Sequence, residues 1–331
     1  MNRSFSPCMV DMQVNGYAGV DFNSEELSFE SYVHAMKALY RDGVAVALPT
    51  LITNRVDFMT RRLALLESYR IRTLEENLSE VCKADYYHLE GPFISPNDGY
   101  RGAHPLEFVK ELSADTVREA LDEWIPASGG RIKIITLCCR GCADSVDKKT
   151  AIRVIAQNGI HPALGHTDGT AEDIAAAAES GADLATHLGN ACAQLLPRHH
   201  NPIWPILAEP RLWISIIADG FHLPKEMLQV FHAVKPEKTI LVSDATQFAG
   251  LRPGTYQTHI GGEVVLTEQG KLHVMGHPNV LAGAACGLNA GLENAIRIPL
   301  GTPEECLRLV SHNPLQFLGL SSPSSHSSLY H

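Results

Sequence analysis

The segment MVDMQVNG, residues 9–16, has the pattern of a short buried strand that ends in a turn. Residues two apart on a strand point to the same side, so we expect Gln13 and Asn15 to face one place. A strand that ends in His-x-His can present two imidazoles to one metal ion, but here two amides stand at those positions. We therefore expect these amides to line a site whose metal, if there is one, takes its ligands from other strands.

Seven further strand-like apolar segments follow along the chain. They are residues 44–50, 84–90, 131–137, 161–166, 182–188, 212–219 and 239–245. Apolar residues recur at helical spacing in 29–39 and, less cleanly, in 63–78, and an Ala-rich helical segment occupies 170–181. Eight short strands, each followed by a helix or a long loop, predict an α/β fold, the (β/α)8 TIM-type barrel.

Nearly every predicted strand ends in a side chain that can take part in chemistry. These residues are Gln13, Asn15, Thr50, His88, Glu90, His166, His187, Asp219 and Asp244. In a barrel of this kind, the C-terminal ends of the strands form the face that carries catalysis. The pattern predicts an active site at that face, since a purely structural barrel gains nothing from it.

Glu90, His166 and His187 end three different predicted strands on this one face. One carboxylate and two imidazoles make a catalytic zinc site with three protein ligands and a fourth position open. The same donor set also suits other divalent ions, among them Fe²⁺, Mn²⁺ and Co²⁺. We predict one divalent metal ion at these residues, with zinc as the first choice.

Asp244 ends the eighth predicted strand, in the sequence VSDAT. A carboxylate beside a bound metal can take a proton from water and pass it to a leaving nitrogen. Asp is also a common helix N-cap, which is the structural alternative at this position. Because three predicted metal ligands share its face of the barrel, we interpret Asp244 as the general base.

The composition limits the partners and the compartment. The formal net charge is -10 and no basic cluster is present, which argues against nucleic acid or a membrane surface as a partner. No apolar run reaches the roughly 18 residues that span a bilayer, and MNRSFSPC lacks a signal-peptide core. We expect a cytoplasmic protein that acts on a small molecule.

The segment CCRGC, residues 138–142, holds three of the eight cysteines. A structural zinc site would need a second pair of ligands at matching spacing, and the sequence has none nearby. We interpret these cysteines as free thiols that follow a strand.

Longer motifs at these positions resemble the N-acetylglucosamine-6-phosphate deacetylase family of the amidohydrolase superfamily. The motifs are VDMQVNGYAGVDF (10–22), LPTLIT (48–53), HLEGPFISP (88–96), GAHP (102–105), GHTDGT (165–170), THLGNA (186–191), IIADGFH (216–222), LVSDA (241–245) and LAGA (281–284). The resemblance extends over residues 8–320. It implies a metal-dependent hydrolase that converts N-acetyl-D-glucosamine 6-phosphate and water to D-glucosamine 6-phosphate and acetate.

The resemblance also implies a role for each matching position. Glu90, His166 and His187 would bind the metal, Asp244 would accept and donate the proton, and His222 would polarise the amide carbonyl. The implied substrate contacts are Ala103, His104, Asn190, Ala191, Arg198, Asp219, Gly220, Phe221, His222, Leu281, Ala282 and Gly283. Gln13 and Asn15 would line the site without binding the metal.

The chain departs from the family's pattern in four places. Gly189 replaces an aromatic or Leu-Phe position, and RHHNPIW (198–204) replaces the usual Arg-Glu-Pro-Gly. TLCCRGC (136–142) replaces Thr-Leu-Ala-Pro-Glu, and we expect most of the family's accessory β-sandwich to be missing. The first two changes touch the region expected to hold the sugar phosphate. An unphosphorylated or differently substituted acetamido sugar is therefore an alternative substrate, and a non-catalytic sugar-binding barrel is the alternative from another class.

The expected organisation is one barrel over residues 8–320. Residues 255–275 alternate in polarity and carry Gly pairs, which indicates an inserted β-hairpin after the eighth strand. The Ser-rich segment 321–331 is expected to be disordered. Loss of the sandwich would expose apolar barrel surface, so we expect a homodimer.

Overall fold

Eight parallel strands dominate the structure, a computed structural model that describes residues 8–258 and 262–320. Their bounds are β1 Met9–Val14, β4 Val44–Ile52, β5 Tyr87–Glu90, β6 Ile132–Leu137, β7 His161–Leu164, β8 Leu184–Ala185, β9 Trp213–Ile217 and β10 Thr239–Val242. They lie side by side in chain order. A short antiparallel pair, β2 Gly16–Tyr17 and β3 Val20–Asp21, follows β1. The predicted (β/α)8 barrel is confirmed.

Helices pack around the outside of this sheet. In the described part of the chain they are α1 Phe29–Arg41, α2 Val56–Glu75, α3 Ala114–Ala127, α4 Val146–Gln157, α5 Ala171–Glu179, α6 Ile203–Ala208, α7 Lys225–Val234, α8 Leu288–Arg297, α9 Pro303–Val310 and α10 His312–Phe317. Four of them begin in a capping box, in which a Ser or Thr side chain and the third helical residue satisfy each other's backbone N–H groups. The four N-caps are Ser28, Ser113, Thr170 and Thr302.

The second helix begins earlier than its apolar pattern predicts and buries a different face. Leu63 is fully buried, but Ile71 and Leu74 are 41% and 59% exposed. Glu67 and Arg70 take the inner positions and form an ion pair of 2.7 Å. Charged groups can be buried when they are paired and hydrogen-bonded. A pattern of apolar residues alone therefore misplaces the inner face of α2.

Two apolar layers hold the barrel together. One fills the interior with inward side chains that include Val10, Met12 and Ile134, all 1% exposed or less. The other lies between strands and helices and contains Trp124, which has no exposed surface. Burial of a large apolar side chain contributes about 1.5–3 kcal/mol. These layers fix the strands, and with them the residues at the strand ends.

Hydrogen bonds from side chains help to close the barrel between its first strand, β1, and its last, β10. A single parallel bridge joins Val14 to Ala245. One Asp11 carboxylate oxygen accepts the backbone N–H of Ser243 at 3.1 Å, and the Ser243 hydroxyl donates to the Gln13 carbonyl at 3.3 Å. We call this region the seam: residues 11–16 together with 243–245. It supplies through side chains part of the hydrogen bonding that a full strand pair would make.

A second, antiparallel sheet follows β10, where the sequence predicts only a hairpin. It contains four strands, β11 Gly254–Thr258, β12 Gly262–Leu266, β13 Leu272–Val274 and β14 His277–Leu281. The fourth strand, β14, could not be predicted from the sequence. It contains Pro278, which is unusual in strands, and it is largely exposed, so it lacks an alternating pattern of apolar residues. Phe248, Val264, Leu266, Leu272 and Ala285 form a small core of its own. The predicted disordered tail, 321–331, lies outside the described residues.

The cysteines of the segment 138–142 do not assemble a metal site. Cys138, Cys139 and Cys142 are buried and free. Within 8–258 and 262–320, the group of residues able to hold a metal ion is a different one. Among those same residues, we also find no helix with the length and apolar character to cross a bilayer.

Candidate metal centre and its cavity

Four of the predicted site residues lie two positions beyond the ends of their strands. His166 follows β7, His187 follows β8, Asp219 follows β9 and Asp244 follows β10, each after one intervening residue. The strands are thus shorter than predicted, and these side chains come from the first turn of each loop. Glu90 differs, since it is the last residue of β5.

The backbone at three of these residues is in the left-handed region. The φ angles are 48° at His166, 32° at His187 and 50° at Asp244, and nearby Ala191 has 48°. Side chains with a Cβ rarely adopt this conformation, which costs of order 1–3 kcal/mol per residue. Such strain is concentrated at functional sites, where the surrounding fold enforces it. Here it turns the side chains of three strand ends toward one another.

The carboxylate of Glu90 is the centre of this arrangement. Its Oε1 atom lies 3.1 Å from His166 Nε2 and 2.8 Å from His187 Nε2. The amide of Gln13 donates to the same oxygen at 2.9 Å. All three side chains of the Glu90–His166–His187 cluster are buried, and a ligand atom from each lies within 4.8 Å of the others. This cluster of donors could hold a metal ion.

The hydrogen bonds around the cluster fit a cation. His166 Nδ1 lies 2.9 Å from the carbonyl oxygen of Tyr100, so Nδ1 carries the proton and donates it. When the ring is neutral, its Nε2 directs a lone pair at the Glu90 carboxylate, and when the ring is protonated, Nε2 donates to it. Two electron-rich groups at this distance repel unless a cation or a proton lies between them. A carbonyl that fixes the tautomer is the usual outer partner of a metal-binding histidine.

The charges of the cluster are strongly coupled. Burial would raise the pKa of Glu90, but hydrogen bonds from His166 and His187 hold it well below its ordinary range. Burial alone would lower the pKa of His187, yet its contact with Glu90 raises it. The Glu90 side chain is therefore an anion that recruits positive charge.

His104 lies beside this cluster and is held in one orientation. Its Nδ1 accepts the backbone N–H of Thr53 at 3.3 Å, which leaves the proton on Nε2. That Nε2 lies 3.8 Å from Glu90 Oε2, too far for a hydrogen bond. Burial, followed by the charge of His166, lowers the pKa of His104 to about 3. The ring is thus a neutral N–H donor at the cavity wall.

Asp244 lines the same cavity as Glu90, and one of its carboxylate oxygens already accepts a hydrogen bond. Asn15 Nδ2 donates to Asp244 Oδ1 at 2.8 Å. Burial and the negative charge of Glu90 raise the pKa of Asp244 to about 6. Such a carboxyl group is mostly ionised at neutral pH and can also hold a proton briefly. Both states are required of a group that accepts and then returns a proton.

Asp219 and His222 form a second polar pair at the rim. His222 Nδ1 lies 2.7 Å from Asp219 Oδ2, and the other carboxylate oxygen accepts the backbone N–H groups of Phe221 and His222. Burial would raise the pKa of Asp219, but His222 lowers it. The ionised carboxylate fixes the ring and leaves its Nε2 free to face the cavity that His222 lines.

These groups surround a cavity of about 550 Å³. Such a volume is in the usual range for small-molecule sites. Predicted residues on its wall are Asn15, Glu90, Ala103, His104, His166, His187, Asn190, Ala191, His222, Asp244, Leu281, Ala282 and Gly283. The cavity therefore brings together side chains from loops far apart in the sequence.

Five predicted residues lie elsewhere. Gln13 and Asp219 support the wall from behind through Glu90 and His222, and Gly220 and Phe221 are in the turn between Asp219 and His222. Arg198 is exposed and does not line the cavity. Its position gives no structural support for its predicted contact with a sugar phosphate.

Further lining residues were missed in the sequence. They are Asp21, Asn23, Ile52, Gly102, Ile217, Thr246, Gln247, Phe248, Val274 and Ala284. Val274 belongs to β13, so the second sheet contributes to the wall. A possible signal was the position of the insertion, directly after the last barrel strand at the catalytic face. Asn23 carried no recognisable signal, because it follows the short β2–β3 pair.

Known proteins resemble the chain over nearly its whole length. No family model matches it. It is 30% identical over 329 residues to N-acetylglucosamine-6-phosphate deacetylase of Bos taurus, covering 95% of this chain and 74% of the relative. It is 28% identical over 319 residues to N-acetylgalactosamine-6-phosphate deacetylase of Escherichia coli O157:H7, covering 95% and 78%.

Solved structures agree with this result. The crystal structure of N-acetylglucosamine-6-phosphate deacetylase from Pasteurella multocida superposes with a TM-score of 0.78 at 26% identity, over 95% of this chain and 77% of that one. A mutant deacetylase from Mycobacterium smegmatis, in complex with N-acetyl-D-glucosamine-6-phosphate, shares the fold with a TM-score of 0.77 at 23% identity, over 96% and 78%. With 30% identity over three quarters of a curated relative, the chain belongs to the N-acetylglucosamine-6-phosphate deacetylase family.

Proposed function

We propose that the protein hydrolyses the N-acetyl group of an amino sugar, with N-acetyl-D-glucosamine 6-phosphate as substrate and D-glucosamine 6-phosphate and acetate as products. One observation carries this proposal. The Glu90–His166–His187 cluster and the Asp244 carboxylate line one cavity of small-molecule size. Metal-dependent deacetylation uses both a cation site and a proton-transfer group, and membership of the deacetylase family supports the choice of reaction.

Glu90, His166 and His187 would hold one divalent cation, with zinc as the proposed ion. A divalent cation acts as a Lewis acid on the amide carbonyl and makes water a better nucleophile at neutral pH. Asp244 takes the proton of the attacking water on Oδ2, because Oδ1 accepts the hydrogen bond from Asn15. It then delivers that proton to the leaving amine nitrogen, so the amine departs without a negative charge.

The remaining wall residues orient the acetamido group. His222, held through Nδ1 by Asp219, would direct Nε2 at the developing oxyanion and stabilise it. His104 would offer its Nε2–H from the opposite side. Asn190 has a buried Nδ2 with no hydrogen-bond partner among the described residues, which suits a donor to the sugar. Apolar Leu281 and Ala282 would cover the sugar and exclude water.

The direct test is acetate release from a panel of acetamido sugars by the metal-loaded protein. The panel contains N-acetylglucosamine 6-phosphate, its galactosamine epimer and both free sugars, because the relatives are named for both phosphorylated epimers. We expect Asp244→Asn to bind metal normally and to lose about 10²–10⁴-fold in kcat, the usual contribution of general acid–base catalysis. Absence of acetate release from every sugar would refute the proposed activity and favour a non-catalytic sugar-binding barrel.

The 6-phosphate can be tested separately from the deacetylation. Arg198 matches the family's phosphate-contacting position, and a guanidinium can donate two parallel hydrogen bonds to a phosphate. It is nevertheless exposed and outside the cavity wall. If Arg198 binds the phosphate, Arg198→Ala should lower kcat/KM for the phosphorylated sugar about 10-fold or more, since a hydrogen bond to a charged group contributes roughly 1.5–3 kcal/mol. The free sugar should be unaffected.

An equal effect on both sugars, or a wild type that prefers the free sugar, would remove the phosphate assignment and leave the deacetylase chemistry intact. The exposed position of Arg198 is the specific observation that favours the alternative, an unphosphorylated acetamido sugar. Two further expectations also stay proposals. A homodimer is tested by light scattering, and a cytoplasmic location by cell fractionation.

A further inference from the structure

The two amides near the end of β1 contact two different carboxylates. Gln13 is 1% exposed, and its Nε2 donates to Glu90 Oε1 at 2.9 Å. Asn15 donates from Nδ2 to Asp244 Oδ1 at 2.8 Å. The strand pattern predicts that these two residues face one place, because they are two apart on one segment. Instead, each contacts a different carboxylate. β1 ends at Val14, and Asn15 belongs to the turn beyond it.

The orientation of both amides follows from their partners. An ionised carboxylate only accepts hydrogen bonds, so each amide must turn its NH₂ group toward it. The amide oxygens then point away, and Gln13 Oε1 and Asn15 Oδ1 are buried without a hydrogen-bond partner in 8–258 and 262–320. A buried polar atom left unpaired costs about 1–3 kcal/mol. The fold tolerates this cost at both amides, which indicates a role for their donors.

The seam holds both amides rigidly. The backbone N–H groups of Asn15 and Gly16 donate to the Ala245 carbonyl at 2.8 and 3.1 Å. Ala245 is the neighbour of Asp244, so Asn15 and its carboxylate are fixed by the same short stretch of backbone. The Gln13 carbonyl accepts the Ser243 hydroxyl at 3.3 Å from the same side. Each amide therefore has little freedom to move relative to its carboxylate.

A neutral donor has a specific advantage at each carboxylate. At Glu90, the Gln13 amide fixes the rotation of the carboxyl group without adding a positive charge that would compete with a metal ion. At Asp244, the Asn15 amide occupies Oδ1 and leaves Oδ2 with no hydrogen bond from the described side chains. Proton transfer can then use only one of the two oxygens. A lysine or arginine at either place would neutralise the charge that the chemistry requires.

We propose that the two amides divide the positioning of the site between them: Gln13 orients the metal-binding carboxylate of Glu90, and Asn15 orients the proton-transfer carboxylate of Asp244. The proposal rests on the proposed deacetylase function for its second half. Gln13 is then a positioning residue for metal affinity, and Asn15 is a positioning residue for the chemical step.

The test is a crossed comparison of two variants that remove one donor each and keep the side-chain shape. Gln13→Met should raise the zinc dissociation constant about 10–100-fold, the usual effect of removing an outer partner of a metal ligand. At saturating zinc, its kcat should fall by a smaller factor than the kcat of Asn15→Leu. Asn15→Leu should bind zinc as wild type does and lower kcat at least about 10-fold, with little change in KM.

Matched controls separate these effects from general destabilisation. Gln229→Met removes an amide that donates to the Ile298 carbonyl, and Asn313→Leu removes a buried amide that donates to the Thr239 carbonyl. Neither residue lines the cavity. Both controls should lose some thermal stability and keep zinc affinity and kcat. If Asn15→Leu fails to fold, Asn15→Ala removes the donor with less bulk, and it should also lose kcat because an alanine side chain cannot donate.

The outcomes distinguish failure of this proposal from failure of the proposed deacetylase function. If both variants weaken zinc equally, or both lower kcat equally at saturating zinc, the division of roles is wrong. If Asn15→Ala retains full kcat, the donated hydrogen bond is not needed. A wild type that binds zinc but releases no acetate would instead overturn the proposed function and, with it, the role of Asn15. The zinc affinity of Gln13→Met would still decide the first half.

Discussion

Two glutamates of this protein gather polar groups around a buried carboxylate, but their partners are of different kinds. Glu67 on α2 accepts from Arg70 Nε and Nη2 at 2.8 and 2.7 Å and from the Tyr87 hydroxyl at 3.0 Å. Glu90 meets two imidazoles and the Gln13 amide. Burial would raise the pKa of each carboxyl group, and its partners hold both pKa values below their ordinary range.

The difference lies in where the balancing charge comes from. A guanidinium is always protonated, so Arg70, with Arg131 at 3.4 Å, neutralises Glu67 within the protein. An imidazole is charged only when protonated, and an amide never is. A structural ion pair thus carries its own balancing charge, whereas the Glu90 centre needs a bound cation or protons to balance its charge.

The largest expected effect comes from breaking the Glu90 centre. Glu90→Gln keeps the shape and removes the anionic ligand, so we expect the metal content to fall from about one ion per chain to a small fraction. Activity should fall by more than the roughly 10²–10⁴-fold attributable to a general base, because the cation site itself is lost. Metal analysis after dialysis and acetate release measure both effects. A Glu90→Gln protein with full metal content would contradict the assignment of this ligand.

Breaking the Glu67 centre should affect stability alone. Glu67→Gln leaves the buried Arg70 guanidinium without its ionic partner, which costs about 3 kcal/mol, the lower end for a buried pair because both side chains retain some exposure. Urea denaturation measures this loss. Metal content and kcat should equal those of the wild type. If Glu67→Gln loses metal instead, the two carboxylates are not independent.

A milder change sharpens the contrast at the same place. Arg70→Lys keeps the charge but replaces two parallel hydrogen bonds to Glu67 by one, so we expect a loss of about 1 kcal/mol. Comparing Arg70→Lys with Glu67→Gln in the same denaturation series separates two effects. Arg70→Lys keeps the charge and loses hydrogen-bond geometry, whereas Glu67→Gln removes the charge. Equal losses in the two variants would mean that charge is not what holds this centre together.

The smallest effect is a change in pH dependence. The folded-state pKa of Glu67 lies below its unfolded value, so its stabilising contribution is present above the unfolded pKa and disappears as the pH falls through the folded one. The destabilisation by Glu67→Gln should therefore shrink as the pH falls below about 4.3, the ordinary glutamate pKa. Unfolding curves of both proteins between pH 7 and the acid limit check this, and a constant difference would exclude ionisation as the cause.

The sequence predicts the barrel and the polar residues at the C-terminal side of its strands, because each strand is a compact apolar run followed by a polar residue. It does not reveal that His166, His187 and Asp244 lie in the first turn beyond each strand with positive φ. Backbone conformation of that kind depends on the neighbouring loops, which a one-dimensional pattern does not contain. The identities of these residues were therefore predictable, and their geometry was not.

Other features were hidden for different physical reasons. Glu67 and Arg70 look like an exposed helix face until Tyr87 and Arg131 are brought to them by the fold. The separate partners of Gln13 and Asn15 depend on where β1 ends, and strand ends are uncertain in sequence by a residue or more. Arg198 shows the converse, since spacing along the chain does not place a side chain in a cavity.

The second sheet has a consequence for how this enzyme family can diversify. Its own small core, around Val264, Leu266 and Leu272, is separate from the barrel interior. It reaches the substrate cavity through Val274 and Leu281, while the metal cluster and Asp244 belong to barrel loops. Mutations in the sheet can thus alter which sugars fit without disturbing the catalytic groups. Substrate range and catalytic activity can therefore change through mutations in different regions, so new substrates can be gained during evolution without loss of the catalytic groups.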